Sequence, residues 1–445
     1  MPVRFPSSPA RPLLLKLLAA GLEAADPYHA LCSSISLQRH SLRVGRRTYD
    51  LSRVDRLIAV GAGKASARMA QALEMALGTR LDDGLVIVKT GHTLPTKRIT
   101  IREAGHPIPD HAGLVATQEI LTLVQSLTPR DLLFVLLSGG ASSLLPAPVP
   151  GVTLTDKQRT TRLLLRSGAT INEVNVVRKH LSVIKGGGLA ASTQARIATL
   201  VLSDVIGDDL GSIGSGPTAA DPSTFSDAVA VLQQYKSWRA VPSAVRHYLL
   251  KGRKGDAPET LKPGSRRLRF VQHHIIGSNR IMLEAVAQAA QRAGLFTKRI
   301  SRPITGEARI AAKQLTDLAK AMTDEHGAVK RPCCVVAGGE TTVTVTGSGK
   351  GGRAQEFAAA AAFELAGLHN TWVMALGTDG ADGPTDAAGA IVSGGTLARA
   401  MKLGIDLRSS LHRHNTYPAL KTLGCHIHTG PTGTNVNDLY LALLL

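Results

Sequence analysis

Six apolar runs of strand length punctuate the chain, and each stops at glycines before a stretch of helical character: RLIAVGAGKAS from Arg56, DLLFVLLSGGASS from Asp131, ATLVLSDVIGDD from Ala198, HHIIGSN from His273, CCVVAGGETT from Cys333 and WVMALGTDGADG from Trp372. This alternation predicts an α/β protein. In open parallel sheets ligands lie at the carboxyl ends of the strands, so each glycine-terminated run is a candidate wall of one site. Leu13, Leu14, Leu17, Leu18 and Leu22 fall near helical spacing and predict an amphipathic first helix, and Met69, Ala70, Leu73 and Leu77 do the same after the first glycine turn. The rhythm breaks after Lys236, where Pro, Gly and charge take over. The joint is expected within 250–268, giving domains 1–255 and 256–445.

Length agrees with two domains, because single cores stop growing at roughly 250 to 300 residues and the chain has 445, of which 44% are hydrophobic. Aromatics are only 3% while Gly reaches 44, which suits helices packed on strands that end in tight turns. The formal charge of +19 raises the question of a polyanionic partner. The basic residues are scattered, apart from a modest cluster at Arg266, Arg267 and Arg269, and no aromatics are interleaved for base stacking. Nucleic acid is therefore not the expected partner, and a positive cleft for phosphates and carboxylates is. Cys32, Cys333, Cys334 and Cys425 lack metal-ligand spacing and read as reduced thiols of a cytoplasmic protein. The basic start and the apolar run from Leu13 imitate a targeting peptide, but Lys16 interrupts the run. No stretch approaches the roughly 18 apolar residues of a membrane span.

Several turns carry candidate chemistry. Gly61, Ala62, Gly63 and Lys64 join a strand to a helix, where glycines bring backbone N–H groups to an anion and lysine adds a charge; a merely tight turn is the plain alternative. The segment is not a Walker P-loop and lacks the third glycine of GxGxxG. Ser138, Gly139, Gly140, Ala141, Ser142 and Ser143 offer hydroxyls and amides without the GxSxG elbow that a nucleophilic serine needs, so an anion cradle is preferred over hydrolysis. Asp204 stands at a strand end with Asp208 and Asp209 following, a place for Mg²⁺ or a base, although the latter two suit helix capping equally. INEVNVVRKHLSVIKGGGLA, from Ile171, reads as one polar helix carrying Asn172, Asn175, Arg178, Lys179 and His180 with Lys185 in its last turn. Further on, an alternating strand over Thr342 to Val345 is expected to turn through glycines into Gly352, Arg353, Gln355 and Glu356, with Arg353 able to hold phosphate charge. Asp379, Asp382 and Asp386 share a glycine-rich loop that lacks the bidentate Glu of an EF-hand.

Taken in order, these segments resemble the class II glycerate kinases, whose C-terminal part is the MOFRL domain and which have often been labelled hydroxypyruvate reductases. The resemblance runs through VGAGKAS, AGHPIPD, LLSGGASSLL, INEVNVVRKHLS, LSDVIGDDLGSIGSGPTAADPSTF, GGETTVTVTGSGKGGRAQEF, GTDGADGPTDAAGA and TGPTGTNVNDL, nearly the whole chain. It implies a larger Rossmann-like, doubly wound domain, a smaller α/β domain with the MOFRL region at about 332–440, and transfer of the γ-phosphoryl of ATP to the 2-hydroxyl of D-glycerate with Mg²⁺. By motif match Lys64, Arg353 and Asp204 are the catalytic candidates. Gly61, Gly63, Ser138, Gly139, Gly140, Ser142, Asn172, Arg178, Lys179, Glu340, Gly352 and Asp379 are the binding candidates, and Asp204 with Asp208 the metal candidates. No membrane partner is expected, and monomer and homodimer stay open.

Two rivals set the alternatives. An NAD(P)H-dependent hydroxypyruvate reductase would want GxGxxG with an acid about 20 residues on; Gly61 to Ser66 supplies only GAGKAS, while Asp82 and Asp83 do lie at about that distance. A nonenzymatic nucleotide or nucleic-acid binder would exploit the +19 charge and lose affinity steeply with salt.

Overall fold

The computed structural model describes residues 3–323 and 331–445. The chain divides into two compact units, Pro27–Ile276 and a discontinuous one combining Met1–Asp26 with Gly277–Leu445. Both are α/β.

The larger unit opens with an antiparallel meander of β1 (Ile35–Gln38), β2 (Ser41–Val44) and β3 (Arg47–Asp50). Its main sheet contains β4 (Leu57–Ala62), β5 (Asp83–Lys89), β6 (Ile99–Ala104), β7 (Leu132–Leu137), β8 (Arg196–Leu202) and β9 (Val271–Gly277), in the order β6-β5-β4-β7-β8-β9. The pairs among β4 to β8 are parallel. β4 and β7 are buried at every residue, as their unbroken apolar runs require of strands covered on both faces. Helix Ser66–Leu77 returns from β4 to β5 and buries Met69, Ala70, Leu73 and Leu77, the spacing that predicted it.

The second unit is built on β10 (Phe296–Arg299), β11 (Ile304–Glu307), β12 (Cys333–Thr342), β13 (Thr371–Gly377), β14 (Gly389–Ser393), β15 (His426–Ile427) and β16 (Asp438–Leu444). The order is β10-β12-β16-β13-β14-β15 with β11 also on β12, and it mixes parallel with antiparallel pairs. The alanine-rich helix Arg353–Glu364 buries Ala354 through Ala362, and Phe357 stacks on Tyr440 with ring centroids 4.4 Å apart.

Two expectations about organisation are corrected. The division falls at 276/277 rather than 255/256. The polar stretch before it is bound to the first unit: Leu261 N donates to Gly186 O at 2.9 Å, and Arg267 Nε donates to Ala190 O at 2.7 Å. The first helix, Arg11–Ala25, is amphipathic as read, but it packs in the second unit. A Cβ on its Gly21 would come 2.8 Å from Val286 Cγ2, and Thr434 Oγ1 donates to Ala25 O at 2.6 Å. A linker-like composition marks exposed chain, and tertiary hydrogen bonds decide which core that chain serves.

Candidate functional site

The turns after β4 and β7 meet where the strand order reverses, the position at which open α/β sheets bind ligands. Their backbones interlock: Lys64 N donates to Gly139 O at 2.9 Å, and Ser138 N to Ala62 O at 3.2 Å. The Ser138 hydroxyl is buried inside this junction, accepting from Ala65 N at 3.0 Å and lying 3.1 Å from Ser66 Oγ. Ser138 thus braces the two turns together. Gly61 is required by close approach, since a Cβ there would come 2.2 Å from Leu136 O.

Lys64 and Asp204 converge on the next two glycines. A Cβ on Gly139 would come 2.2 Å from Asp204 Oδ2, and one on Gly140 would come 3.5 Å from Lys64 Cγ and 2.9 Å from the His106 ring. A cation and a carboxylate from two different strand ends therefore flank one stretch of half-buried backbone. His106, in the quoted AGHPIPD segment, had been given no role. Burial, then the charges of Lys64, Lys89 and His92, push its pKa down to about 4, so the ring is neutral at pH 7. Asp110 holds the loop in place, accepting from Gly105 N and Gly113 N at 2.9 Å each.

From Gly140 a cavity of about 570 Å³ extends past Ser142, Lys157, Arg178 and Lys185. Lys185 is 3% exposed and donates to Ser142 O at 2.7 Å; the Ser142 hydroxyl lies 2.7 Å from Ser215 Oγ. Burial, then Lys157 and Arg178, lower the Lys185 pKa well below its ordinary value. Lys157 is 8% exposed, its ammonium meets no hydrogen-bond partner among the described residues, and burial followed by Arg178 takes its pKa down to about 7.

The polar helix is shorter than expected. It spans Ile171–His180, opened by a Thr170–Glu173 capping box. Lys185 lies beyond its end, in a turn whose Ser182 bridges to Pro148. The helix serves two cavities: Arg178 faces the basic one, while Asn172 and Lys179 line a second of about 540 Å³. Lys179 Nζ sits 3.3 Å from Asp221 Oδ1, and His180 is a core histidine, its Nδ1 2.8 Å from Val176 O, its Nε2 2.9 Å from Glu259 Oε1 and its ring edge-on to Phe225. After β8, Asp208 adopts φ 56°, and Asp209 closes a turn by accepting from Ser212 Oγ at 2.6 Å. Among the described residues no group of three or more His, Cys, Asp or Glu is arranged to hold a metal.

Glu340, Gly352, Arg353 and Asp379 belong to the second unit. Arg353 forks onto the buried Asp438, Nε to Oδ2 at 2.7 Å and Nη2 to Oδ1 at 2.9 Å, while Nη1 donates to Glu340 Oε1 at 2.5 Å. Three of the five guanidinium N–H groups are thereby engaged. Burial pushes the Asp438 carboxyl up to about 6 even beside Arg353. Asp379 Oδ1 accepts from Ala381 N at 3.1 Å, and a Cβ on Gly377 would come 3.4 Å from Asp379 Oδ1 and 3.6 Å from Asp438 Oδ1. Asp382 caps the helix from outside it, accepting from Ala354 N at 3.0 Å and Gln355 N at 2.8 Å; a Cβ on Gly352 would strike that carboxylate at 2.3 Å. The alternating strand expected over Thr342–Val345 is not formed. β12 ends at Thr342, and Thr344 N donates to the Glu307 carboxylate at 3.0 Å in place of a ladder partner.

Residues 13–250 match the family described as a domain of unknown function (DUF4147), and residues 333–438 match the MOFRL family. The chain is 40% identical to the glycerate 2-kinase of Pyrococcus horikoshii over 435 residues, 98% of this chain and 97% of that protein. The crystal structure of a glycerate kinase from Thermotoga maritima superposes with a TM-score of 0.88 at 38% identity, covering 98% of this chain and 99% of that one. The chain belongs to the glycerate kinase family. A relative from Agrobacterium vitis, also 40% identical over 98% of this chain and 94% of its own length, carries the name putative hydroxypyruvate reductase.

For this glycerate kinase family member the dinucleotide fingerprint fails on geometry as well as on its missing third glycine. The third-glycine position is Ser66, fully buried against Ser138 and the Leu136 carbonyl. A ribose-binding acid belongs at the carboxyl end of the neighbouring strand. Asp83 begins β5 and Asp82 accepts from Leu57 N at 2.7 Å, both at the amino end, while the carboxyl end carries Lys89.

Proposed function

We propose that this chain is an ATP-dependent glycerate kinase that transfers the γ-phosphoryl group to the 2-hydroxyl of D-glycerate, giving 2-phosphoglycerate and ADP. The observation that carries this reading is the convergence of Lys64 and Asp204 on Gly139 and Gly140 at the reversal of the sheet. Phosphoryl transfer needs positioning and charge stabilisation rather than a covalent nucleophile. Backbone N–H groups of the two turns and Lys64 suit the transferring phosphate, and Asp204 suits the attacking hydroxyl, which it orients and relieves of its proton. Neutral His106 adds a hydrogen-bonding group without adding charge.

Mg²⁺ fits this chemistry through Asp204. A hard cation bound through one or two carboxylates plus substrate phosphates needs no all-protein cage, in keeping with a site that has no cluster of three ligands among the described residues. When bound, it would neutralise charge on the phosphates. Arg353 is assigned to phosphate charge by its motif, with Asp438 and Glu340 orienting the guanidinium.

The test is incubation of the purified protein with D-glycerate, ATP and Mg²⁺, and separately with hydroxypyruvate and NAD(P)H. Glycerate-dependent ADP and a ³¹P signal of 2-phosphoglycerate are expected. NAD(P)H oxidation without ADP would overturn the reading.

A further inference from the structure

We propose that the basic cavity running from Gly140 to Lys157 and Lys185 is the seat of the nucleotide's polyphosphate chain, with the base lodged against the apolar wall of Ile108, Leu154 and Leu165. The proposal rests on the kinase reading and adds to it which reactant the cavity takes.

Charge count is the first argument. Lys157, Arg162, Arg166, Arg178 and Lys185 all line the cavity, and no Asp or Glu does. Glycerate brings one carboxylate, whereas a triphosphate brings about four negative charges, which a lining of five basic side chains and no carboxylate suits far better. Two of these cations are buried without a carboxylate: Lys157 has no hydrogen-bond partner among the described residues, and Lys185 has only the Ser142 carbonyl and hydroxyl. A buried ammonium that nothing in the protein compensates is costly unless a ligand supplies the counter-charge. Burial first, and then the cationic neighbours, depress the pKa of both lysines, and a polyanion bound beside them would raise it again.

Size and surface make the second argument. Ligand pockets for drug-sized molecules run from about 300 to 1,000 Å³ and are mostly apolar with a few placed polar groups. At about 570 Å³ the cavity has room for a nucleotide and is far larger than a three-carbon acid requires. Its floor begins at Gly140 beside Lys64, so a chain lying along it ends with its terminal phosphate where Lys64 and Asp204 converge.

The experiment measures ADP binding by calorimetry, with inorganic tripolyphosphate as competitor, and steady-state kinetics in both substrates. The variants are Lys157→Met and the rim double variant R162Q/R166Q. Lys157→Met keeps the stem volume and removes only a charge that has no partner, so it is expected to fold. ADP affinity and KM for ATP should each worsen at least tenfold in Lys157→Met and severalfold in the rim variant, with KM for glycerate within twofold of wild type and tripolyphosphate displacing ADP. Unchanged ADP affinity in both variants, or a rise confined to KM for glycerate, would overturn the proposal. If the wild-type protein turns over no glycerate, the kinase reading fails, while the calorimetry still decides whether this cavity holds a polyphosphate.

Discussion

Ser138 Oγ lies where a side chain on Gly63 would have to be: a Cβ on Gly63 would come within 2.0 Å of it, at a backbone φ of 143°. The turn after β4 and the turn after β7 can close on each other only because position 63 has no side chain. Gly63→Ala combines overpacking with backbone strain, so a loss of about 2 to 4 kcal/mol is expected. Gly91→Ala is the control: its φ is 82° but a Cβ there meets nothing within 4 Å, so only the backbone penalty of about 1 to 2 kcal/mol applies. Chemical denaturation of the two variants measures the difference.

Lys64 flanks Gly140, and it is the backbone N–H of Lys64, donating to Gly139 O, that braces the turn whatever the side chain. Lys64→Met should leave the thermal midpoint nearly unchanged and lower kcat by about 10² to 10³, the loss typical of removing one preorganised group that stabilises transition-state charge. Near-normal turnover of the folded variant would remove Lys64 from the mechanism.

Asp438 is 1% exposed and accepts two hydrogen bonds from Arg353 and one from Tyr440 Oη at 2.9 Å. Asp438→Asn leaves the guanidinium facing an amide that can neither accept bidentately nor balance its charge. Breaking one side of a buried pair costs about 3 to 5 kcal/mol. The variant should show a lower thermal midpoint, and a fall in kcat exceeding any change in KM if Arg353 serves the reaction through this fork.

Lys157 makes stability depend on pH in a stated direction. Its folded pKa of about 7 lies below the ordinary 10.5, so between these values the unfolded chain holds the proton and the folded protein does not. Stability contributed by this group therefore rises with pH from about 7 to 10.5, and its full penalty is present below 7. Without ligand, Lys157→Met should be more stable than wild type at pH 6, with the advantage shrinking as the pH rises toward 10. Thermal midpoints across that range provide the measurement.

The sequence by itself determined the α/β class, the six apolar strands and the turns that carry Lys64, Ser138 and Asp204, although β12 runs through its glycines to Thr342 and β8 ends before Ser203. These are local properties: an apolar run of strand length and a glycine-rich turn after it are written into neighbouring residues, whereas the close approach that demands glycine at 61 and 63 comes from Leu136 and Ser138. The failures share one cause. The helix from Ile171 was drawn too long, a strand was expected over Thr342–Val345, and the joint was set near residue 255; in each case long-range hydrogen bonds decided the matter, with Ala147 and Val149, with Glu307 and with Gly186 respectively. Site composition followed the same division. Lys157 lies in no quoted segment, and the segments that contain His106 and Asp438 assign them no chemistry; their significance comes from the cavity, the burial and the partner that surround them, set by residues more than 20 positions away in each case: Gly140 beside His106, the Arg178 charge on Lys157, and Arg353 against Asp438. Charge and burial depend on which distant segments share a core, and only the tertiary structure decides that.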